Sequence, residues 1–306
     1  MIENFSILIP VYNFNVVPLV EQLKTIAQKT CKTFEILIID DKSKPEFKEK
    51  NASLKNDSVV SYLELEENIG RSKIRNLLFQ KAKYESCIIL DCDVLLAKEN
   101  FLDLYLENLN QDNVVIGGHI YLQNAPKDKS KYFHWLYGKR IEVKPLSERL
   151  KNPYASFMTN SFAISKSLFL KIKFDESISE YGHEDTLFGF ELNHKNIDIK
   201  HISNPVVHLG LENETEFLLK QEKAIENLVK LVNDSKFKEV LSKNLKLVQF
   251  YNLFYNKFPY NFLISGLKIT VNTLDKFLKI DFVRITKFNL WKLEKFHFYS
   301  KKHIKQ

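Results

Sequence analysis

Apolar positions along the first two hundred residues alternate between two spacings. Phe5-Ser6-Ile7-Leu8-Ile9-Pro10-Val11 is a nearly continuous apolar run that meets a proline, which cannot donate to a sheet ladder. Val17, Val20, Leu23, Ile26 and Ala27 then recur at helical spacing up to about Thr30. Phe34 to Ile39 is a second run and ends in Asp40 and Asp41; Val59 to Leu65 is a third strand candidate. Asn68-Ile69-Gly70-Arg71 turns into a helix expected from about Ser72 to Lys83, and Cys87 to Leu90 is a fourth run, stopped by Asp91-Cys92-Asp93. Runs with Ile and Leu on consecutive positions read as strands buried on both faces, the kind found in parallel sheets covered by helices. The strand, helix, strand order is the unit of a right-handed parallel crossover. The pattern therefore predicts an α/β fold, a Rossmann-like mixed sheet with helices on both faces.

Further along, the pattern predicts a helix over Lys98 to Asn110 and a strand over Val114 to Tyr121, where Gly117-Gly118 permits a bulge or a close approach. Residues 125–153 are charged and irregular, the composition of a mobile loop over a site. A strand over Thr159 to Ile164, a short helix over Ser165 to Ile172 and a helix over Thr186 to His194 follow, then short strands over Ile197 to Ile202 and Val206 to Leu209 around Pro205. Glu214 to Val232 is an amphipathic helix, and the rest reads as mostly helical with breaks at Pro259 and Gly266. The expected division is a nucleotide-binding domain over 1–212 and a mostly helical basic extension over 213–306. His194, His201 and His208 recur every seven residues, but Pro205 interrupts any common helix.

Composition changes this picture little: 44% hydrophobic and 13% aromatic residues support a packed core. Cys31, Cys87 and Cys92 are an odd, sparse set that suits a reducing compartment better than a disulfide framework. Met1 to Phe5 offers no basic segment leading into an apolar one, and no window approaches the roughly 18 to 20 apolar residues of a membrane span, so a cytoplasmic protein, soluble or peripheral on the inner membrane face, is expected. Charge is more informative. Of the net +7, residues 250–306 carry 11 Lys or Arg against 3 Asp or Glu, a balance of +8, which leaves −1 for residues 1–249. Such an aromatic, basic tail suits an anionic membrane surface, or a helical appendage packed on the protein or in a dimer. No nucleic-acid motif accompanies it, so no nucleic-acid partner is expected.

Neither Gly-x-Gly-x-x-Gly nor Gly-Lys-Ser/Thr occurs, which argues against dinucleotide cofactors and phosphate-loop hydrolysis. Asp91 and Asp93 stand where a parallel strand leaves the sheet, at the edge where open α/β sheets bind ligands. Their oxygens suit Mg²⁺ or Mn²⁺, and they equally suit the cap of a following helix. His183-Glu184-Asp185 is not a zinc motif, because position 187 is Leu.

Taken together, Ile9-Pro10-Val11-Tyr12-Asn13, Ile38-Ile39-Asp40-Asp41-Lys42-Ser43, Asn68-Ile69-Gly70 with Arg75-Asn76, Leu90-Asp91-Cys92-Asp93, and Phe174-Asp175-Glu176 with Tyr181-Gly182-His183-Glu184-Asp185 resemble the successive motifs of family 2 glycosyltransferases. The resemblance covers about residues 5 to 210. It implies a GT-A fold, a nucleotide-sugar donor, generally inversion at the anomeric centre, and a Mn²⁺ or Mg²⁺ cofactor. Pro10 and Tyr12 then flank the nucleotide base, Asp41 accepts the uracil N–H, and Asp40 holds the loop. Arg71 and Arg75 are candidates for the nucleotide or diphosphate, or surface residues of their helix. By the same resemblance Asp91 contacts the sugar or ribose, Asp93 binds the metal with His208, Asn160 lines the acceptor side, Glu184 holds a sugar hydroxyl and Asp185 is the general base. His183 stands where relatives carry a sugar-stacking tryptophan. The implied reaction moves a sugar from a nucleotide-sugar, a UDP-sugar by the resemblance, to a glycan or lipid-linked glycan acceptor; the rivals are a non-catalytic nucleotide or glycan-binding module on the same fold and a nucleotidyltransferase, which lacks its glycine-rich loop here.

Overall fold

The computed structural model of the chain describes residues 2–178, 180–255, 265–270, 272–273 and 280–304. They fall into two compact units. The first comprises Met1–Ala125, Gly138–Ser179 and Glu184–Leu211, and the second Pro126–Tyr137, Glu180–His183 and Glu212–Gln306.

The first unit is built on ten strands: β1 (Asn4–Val11), β2 (Thr33–Asp40), β3 (Val60–Glu64), β4 (Ser86–Leu90), β5 (Val94–Leu96), β6 (Asn113–Ile116), β7 (His119–Ile120), β8 (Ser161–Ser165), β9 (Asp198–His201) and β10 (Val206–His208). Among the described residues the longer helices are α1 (Val17–Lys29), α2 (Pro45–Asn51), α3 (Arg71–Lys81), α4 (Phe101–Asn108), α5 (Tyr132–Tyr137), α6 (Leu146–Lys151), α7 (Lys166–Ile172), α8 (Glu184–His194), α9 (Glu214–Asn233), α10 (Lys238–Asn244), α11 (Lys246–Tyr255) and α12 (Asp281–Ile304). A seven-stranded mixed sheet runs in the order β3-β2-β1-β4-β8-β6-β9, and β5-β10-β7 form a small second sheet.

The continuous apolar runs are continuous because both faces of the sheet are covered. Ile7, Ile9 and Val11 point into one core with Leu19, Val20 and Leu23 of α1 and Phe101 and Tyr105 of α4. Leu8, Leu37, Ile39 and Ile89 point into the other with Ile74, Leu78 and Phe79 of α3, Phe169 of α7 and Phe188 of α8. At about 1.5 to 3 kcal/mol for each fully buried aliphatic or aromatic side chain, these two layers dominate the stability of the unit. β1 pairs in parallel with β2 on one side and β4 on the other, so the direction of sheet growth reverses at β1/β4 and a crevice opens at their carboxyl ends. β8 runs antiparallel to β4, pairing Ser161 with Leu90, so it enters the sheet at that same edge.

The strand expected over 114–121 is split. A Cβ on Gly117 would lie 2.1 Å from the Asn204 carbonyl oxygen and 2.6 Å from the Tyr105 hydroxyl, and Gly118 has φ +89°. The chain therefore leaves the main sheet after Ile116 and pairs as β7 with β10. Where β6 and β9 end, the buried Arg149 guanidinium donates to the carbonyls of Ile116, Gly117 and Ile202 (3.3, 3.1 and 2.9 Å), the first two of which also accept the Ile202 and Asn204 N–H groups (2.9 and 3.3 Å).

The loop expected over 125–153 is instead largely helical: α5, a wide turn over Gly138–Glu142, and α6. Most of its charges face solvent, Arg149 excepted, whereas Phe133, Leu136 and Tyr137 are buried. In the second unit these three pack with Phe217 of α9 and Ile285 and Phe288 of α12. α9 starts at Asn213, whose side chain accepts the Glu216 N–H (2.9 Å), a hydrogen-bonded N-cap. Asn227 of the same helix donates to the Gly182 carbonyl (2.9 Å). Gly266, expected as a break, is helical within the described residues 265–270; Pro259 lies outside the described residues.

Candidate active site

The site grows from strand ends. Tyr12 follows β1 with its ring 55% exposed, so it is a surface aromatic and not a core tyrosine. Pro10 sits one turn of the pleat earlier, opposite Ile39 of β2, and is half-buried. After β2 the two acids divide. Asp40 is fully buried and accepts from the Ser43 N–H (2.6 Å) and the Tyr62 hydroxyl (2.8 Å), which closes its own loop. Asp41 is tied to β1 by its N–H to the Val11 carbonyl (2.8 Å). Its carboxylate accepts the N–H groups of Ile69 and Gly70 (2.7 and 3.0 Å), and its carbonyl accepts from the Asn68 amide (3.0 Å). Burial pushes the Asp41 carboxyl above its usual range, against the pull of those two N–H donors. A carboxylate has about four acceptor positions, so two remain beyond this loop contact. Gly70, at φ +83°, then starts α3 in a conformation that L side chains rarely adopt.

α3 presents two arginines. Arg71 is half-exposed and reaches Glu184 Oε1 at 3.4 Å. Arg75 is 3% exposed: Nη2 donates to Asp91 Oδ1 (2.8 Å) and Thr159 Oγ1 (3.1 Å), Nη1 lies 3.6 Å from Glu184 Oε1, and the guanidinium stands over the Phe174 ring. The neighbouring Asn76 bonds in both directions with the Phe174 backbone (3.0 and 2.9 Å) and donates to Glu176 (2.9 Å). This fixes the turn that carries Phe174-Asp175-Glu176.

After β4, the Asp91 N–H donates to the Asn160 carbonyl (3.0 Å), which brings the start of β8 against the acids. Burial, reinforced by Asp93, pushes the Cys92 thiol far up, so it stays protonated between the two carboxylates. β10 pairs antiparallel with β5, with His208 opposite Val94, and so delivers His208 to Asp93: Nδ1 is 3.8 Å from Oδ1. The Leu209 N–H donates to the Asp93 carbonyl (2.8 Å). A Cβ at Gly210 would lie 2.1 Å from Asp93 Oδ2 and 3.0 Å from His208 Cε1, so only glycine leaves the space beside this pair open. One hard oxygen donor and one imidazole beside an open cradle fit Mn²⁺ or Mg²⁺, which take the rest of their shell from water and phosphate. No group of three or more potential metal ligands occurs among the described residues.

α8 opens with Glu184 and Asp185. Burial alone would raise the Glu184 carboxyl, but the Arg71 and Arg75 guanidiniums outweigh it and hold it below its usual range. Asp185 goes the other way: burial, and then the Glu184 charge, push it up to about 6. It is half-buried and accepts the Thr186 N–H (2.7 Å). A carboxylate of this basicity suits proton abstraction near neutrality.

The structure thus joins Arg71, Arg75, Asp91, Asn160 and Glu184 directly, sets Asp185 beside Glu184, and joins Asp93 to His208. Pro10, Tyr12 and Asp41 reach the same edge through the β1/β2 register. Thr159, Gly210 and Tyr121 are additions that sequence reading did not supply. Tyr121 bonds to Glu142 (2.5 Å) and sets its ring edge-to-face with His208. For Gly210 the signal was present, a glycine two places after a candidate ligand.

A seven-stranded mixed sheet with acid pairs gathered at its switch point is an α/β domain of GT-A type. Residues 6–172 match the family model for glycosyl transferase family 2, and the chain belongs to that family. It is similar to chondroitin synthase of Escherichia coli, 25% identical over 321 residues, covering 90% of this chain and 46% of that protein. The chain spans less than half the length of the curated relatives it matches. Among solved structures it shares the fold of the mannosyltransferase PcManGT of Pyrobaculum calidifontis in complex with GDP-Man and Mn²⁺ (14% identity, TM-score 0.59, 97% of this chain and 86% of that one). It also shares that of S. aureus TarS 1-349 in complex with UDP-GlcNAc (16% identity, TM-score 0.50, 99% and 92%).

Proposed function

We propose that the chain is a metal-assisted, inverting glycosyltransferase that moves a sugar from a uridine diphosphate sugar to a hydroxyl of a glycan or lipid-linked glycan. The observation that carries this reading is the pairing of two acid motifs over the β1/β4 crevice, one at the end of β4 and one at the start of α8, with Asp185 at about 6. In this reading Tyr12 and Pro10 offer a surface for the base, and Asp41 uses its remaining acceptor capacity on the base N–H. Asp91 holds a sugar or ribose hydroxyl. Asp93 and His208 would hold the cation, which when bound neutralises charge on the departing diphosphate. Asp185 takes the proton of the acceptor hydroxyl as it attacks from the face opposite the diphosphate; Glu184, kept ionised, accepts a sugar hydroxyl. A carboxyl held near neutrality beside an ionised one favours catalysis over a non-catalytic binding module. The name of the E. coli relative supports a polysaccharide acceptor, and the UDP-GlcNAc complex of TarS supports the donor class.

The same reading places the second unit on an anionic membrane surface. Phe282, Phe298 and Ile269 are 74, 60 and 69% exposed within the basic region, and no helix among the described residues is long and apolar enough to cross a membrane. Failure to co-sediment with anionic vesicles at low salt would remove this part of the proposal.

The test of the catalytic reading is a screen of UDP-sugars and GDP-mannose by thermal shift and donor turnover, with and without Mn²⁺, on the wild type and Asp93→Ala. Donor at 100 times its Kd adds about 2.7 kcal/mol of stability. A Mn²⁺-dependent shift and turnover with one UDP-sugar, both lost in Asp93→Ala, is the expected result. Neither shift nor turnover with any donor overturns the reading.

A further inference from the structure

We propose that Arg75 is a positioning residue that fastens the two acid motifs together, holding Asp91 at the end of β4 and Glu184 at the start of α8 through one buried guanidinium. This deepens the transferase reading and rests on it for its catalytic consequence. An arginine that simply binds diphosphate would present its fork to the crevice. Here the guanidinium is turned to protein: Nη2 donates to Asp91 and Thr159, Nη1 lies 3.6 Å from Glu184, and the Phe174 ring stands against its plane, while Nη1 and Nε are buried without a hydrogen bond. Arginine suits such a place because its planar fork satisfies several acceptors at once and keeps its charge when buried. The link to Asp91 is a hydrogen bond at 2.8 Å, whereas that to Glu184, at 3.6 Å, is an ion pair without one. A lysine can preserve the second kind of contact better than the first.

The consequence falls on Asp185. The charged groups acting on it are Glu184 on its own helix and Arg75 and Arg71 on α3. The Tyr154–Ser156 turn packed against α8 has Tyr154 as its only titratable side chain, and β9 meets the helix at its far end, where the Ile197 N–H bonds to the Leu192 carbonyl. Arg75 is thus the buried cation that lets two adjacent carboxyls stand side by side with Glu184 ionised. Without it, the pair retains its first proton to higher pH.

The experiment compares wild type with Arg75→Met, Arg75→Lys, Glu184→Gln and the Arg75→Met/Glu184→Gln double variant. Urea midpoints are read first, without substrate: Glu184→Gln should restore at least half of the midpoint lost in Arg75→Met, since the uncompensated carboxylate is then gone. Turnover against pH is read second, with the donor that the wild type uses. The acid limb of kcat/KM should move up by about one pH unit in Arg75→Met and by less in Arg75→Lys, while the thermal shift with nucleoside diphosphate changes less than about threefold in apparent Kd. Additive urea effects overturn the link. An unmoved acid limb with donor binding weakened more than about tenfold overturns it too, and makes Arg75 a donor ligand. If Arg75→Met does not fold, Arg75→Lys with and without Glu184→Gln carries the same cycle. If the wild type turns over no donor, the transferase reading fails, yet the urea cycle still decides whether Arg75 joins the motifs.

Discussion

Replacing Asp185 by Asn removes a charge that the fold holds at a disadvantage, while its amide oxygen can still accept the Thr186 N–H. In the folded protein this carboxyl sits at about 6, against 3.8 for an ordinary aspartate. A group whose pKa is raised by folding favours the native state at low pH, and that contribution is lost as pH rises through the window from about 4 to about 6. The full difference corresponds to about 3 kcal/mol, and solvent at the half-buried side chain trims it to about 1 to 2 kcal/mol. Asp185→Asn should therefore be more stable than the wild type by that amount at pH 7.5, with the gap closing as pH falls towards 4. On the proposed assignment of Asp185 as general base, the same variant should lower kcat by about 10² to 10⁴. Glu184→Gln supplies the opposite sign. The arginines hold Glu184 below its usual range, so its contribution is present above the ordinary glutamate value and lost as pH falls through the folded one. That variant should be destabilised at pH 7.5. Urea unfolding at constant slope across pH 4 to 8 reads both effects. An Asp185→Asn variant destabilised equally at pH 5 and pH 7.5 would refute the argument, because an effect that ignores pH comes from packing and not from this charge.

Asp41→Ala leaves the Ile69 and Gly70 N–H groups without their acceptor, so a loss of about 2 to 5 kcal/mol in urea unfolding is expected; Asp41→Asn, which keeps one oxygen, should lose about half of that. An Asp41→Ala midpoint equal to the wild type would show that the carboxylate does not hold the loop. Gly210→Ala puts a methyl 2.1 Å from Asp93 Oδ2, so Mn²⁺ affinity measured by electron paramagnetic resonance should fall about tenfold or more, the scale seen when groups around a metal site are disturbed. Unchanged affinity there would overturn the proposed assignment of Asp93 and His208 as metal ligands.

What could be read from the sequence followed from how local each signal is. β1, β2 and β4 announce themselves because burial on both faces makes every position apolar. β5 and β7 have two or three residues each and carry no period at all; β10 was expected over Val206 to Leu209, but its pairing with them was not, because that is set by the turn at Gly117-Gly118 and by what lies across from it. Residues 125–153 misled for the converse reason: only Phe133, Leu136 and Tyr137 mark α5, over less than two turns, among many charges. An expected boundary at residue 213 describes a contiguous cut, whereas the second unit also draws on Pro126–Tyr137 and Glu180–His183. No local pattern reports such an exchange.

The candidate site was legible for a different reason, and the hydrogen bonds give it. Each short motif is too weak to stand alone, but each is the partner of another. Asp41 needs the Asn68-Ile69-Gly70 backbone, and Asn76 needs the Phe174 turn. Arg75 needs Asp91 and Glu184; Asp93 and His208 need the bare Gly210. Motifs that close on one another can only occur together and in an order the topology allows, so their sequence of appearance carries information that none holds singly. The burial of Arg75 was not legible on the same terms. An arginine on a helix reads as a surface residue until acids from two distant segments fold over it, and those acids are recognisable only as ligand-binding motifs. Charge pairing between motifs is therefore the property that sequence reading underweights most here, and it is the property on which the balance between Glu184 and Asp185 depends.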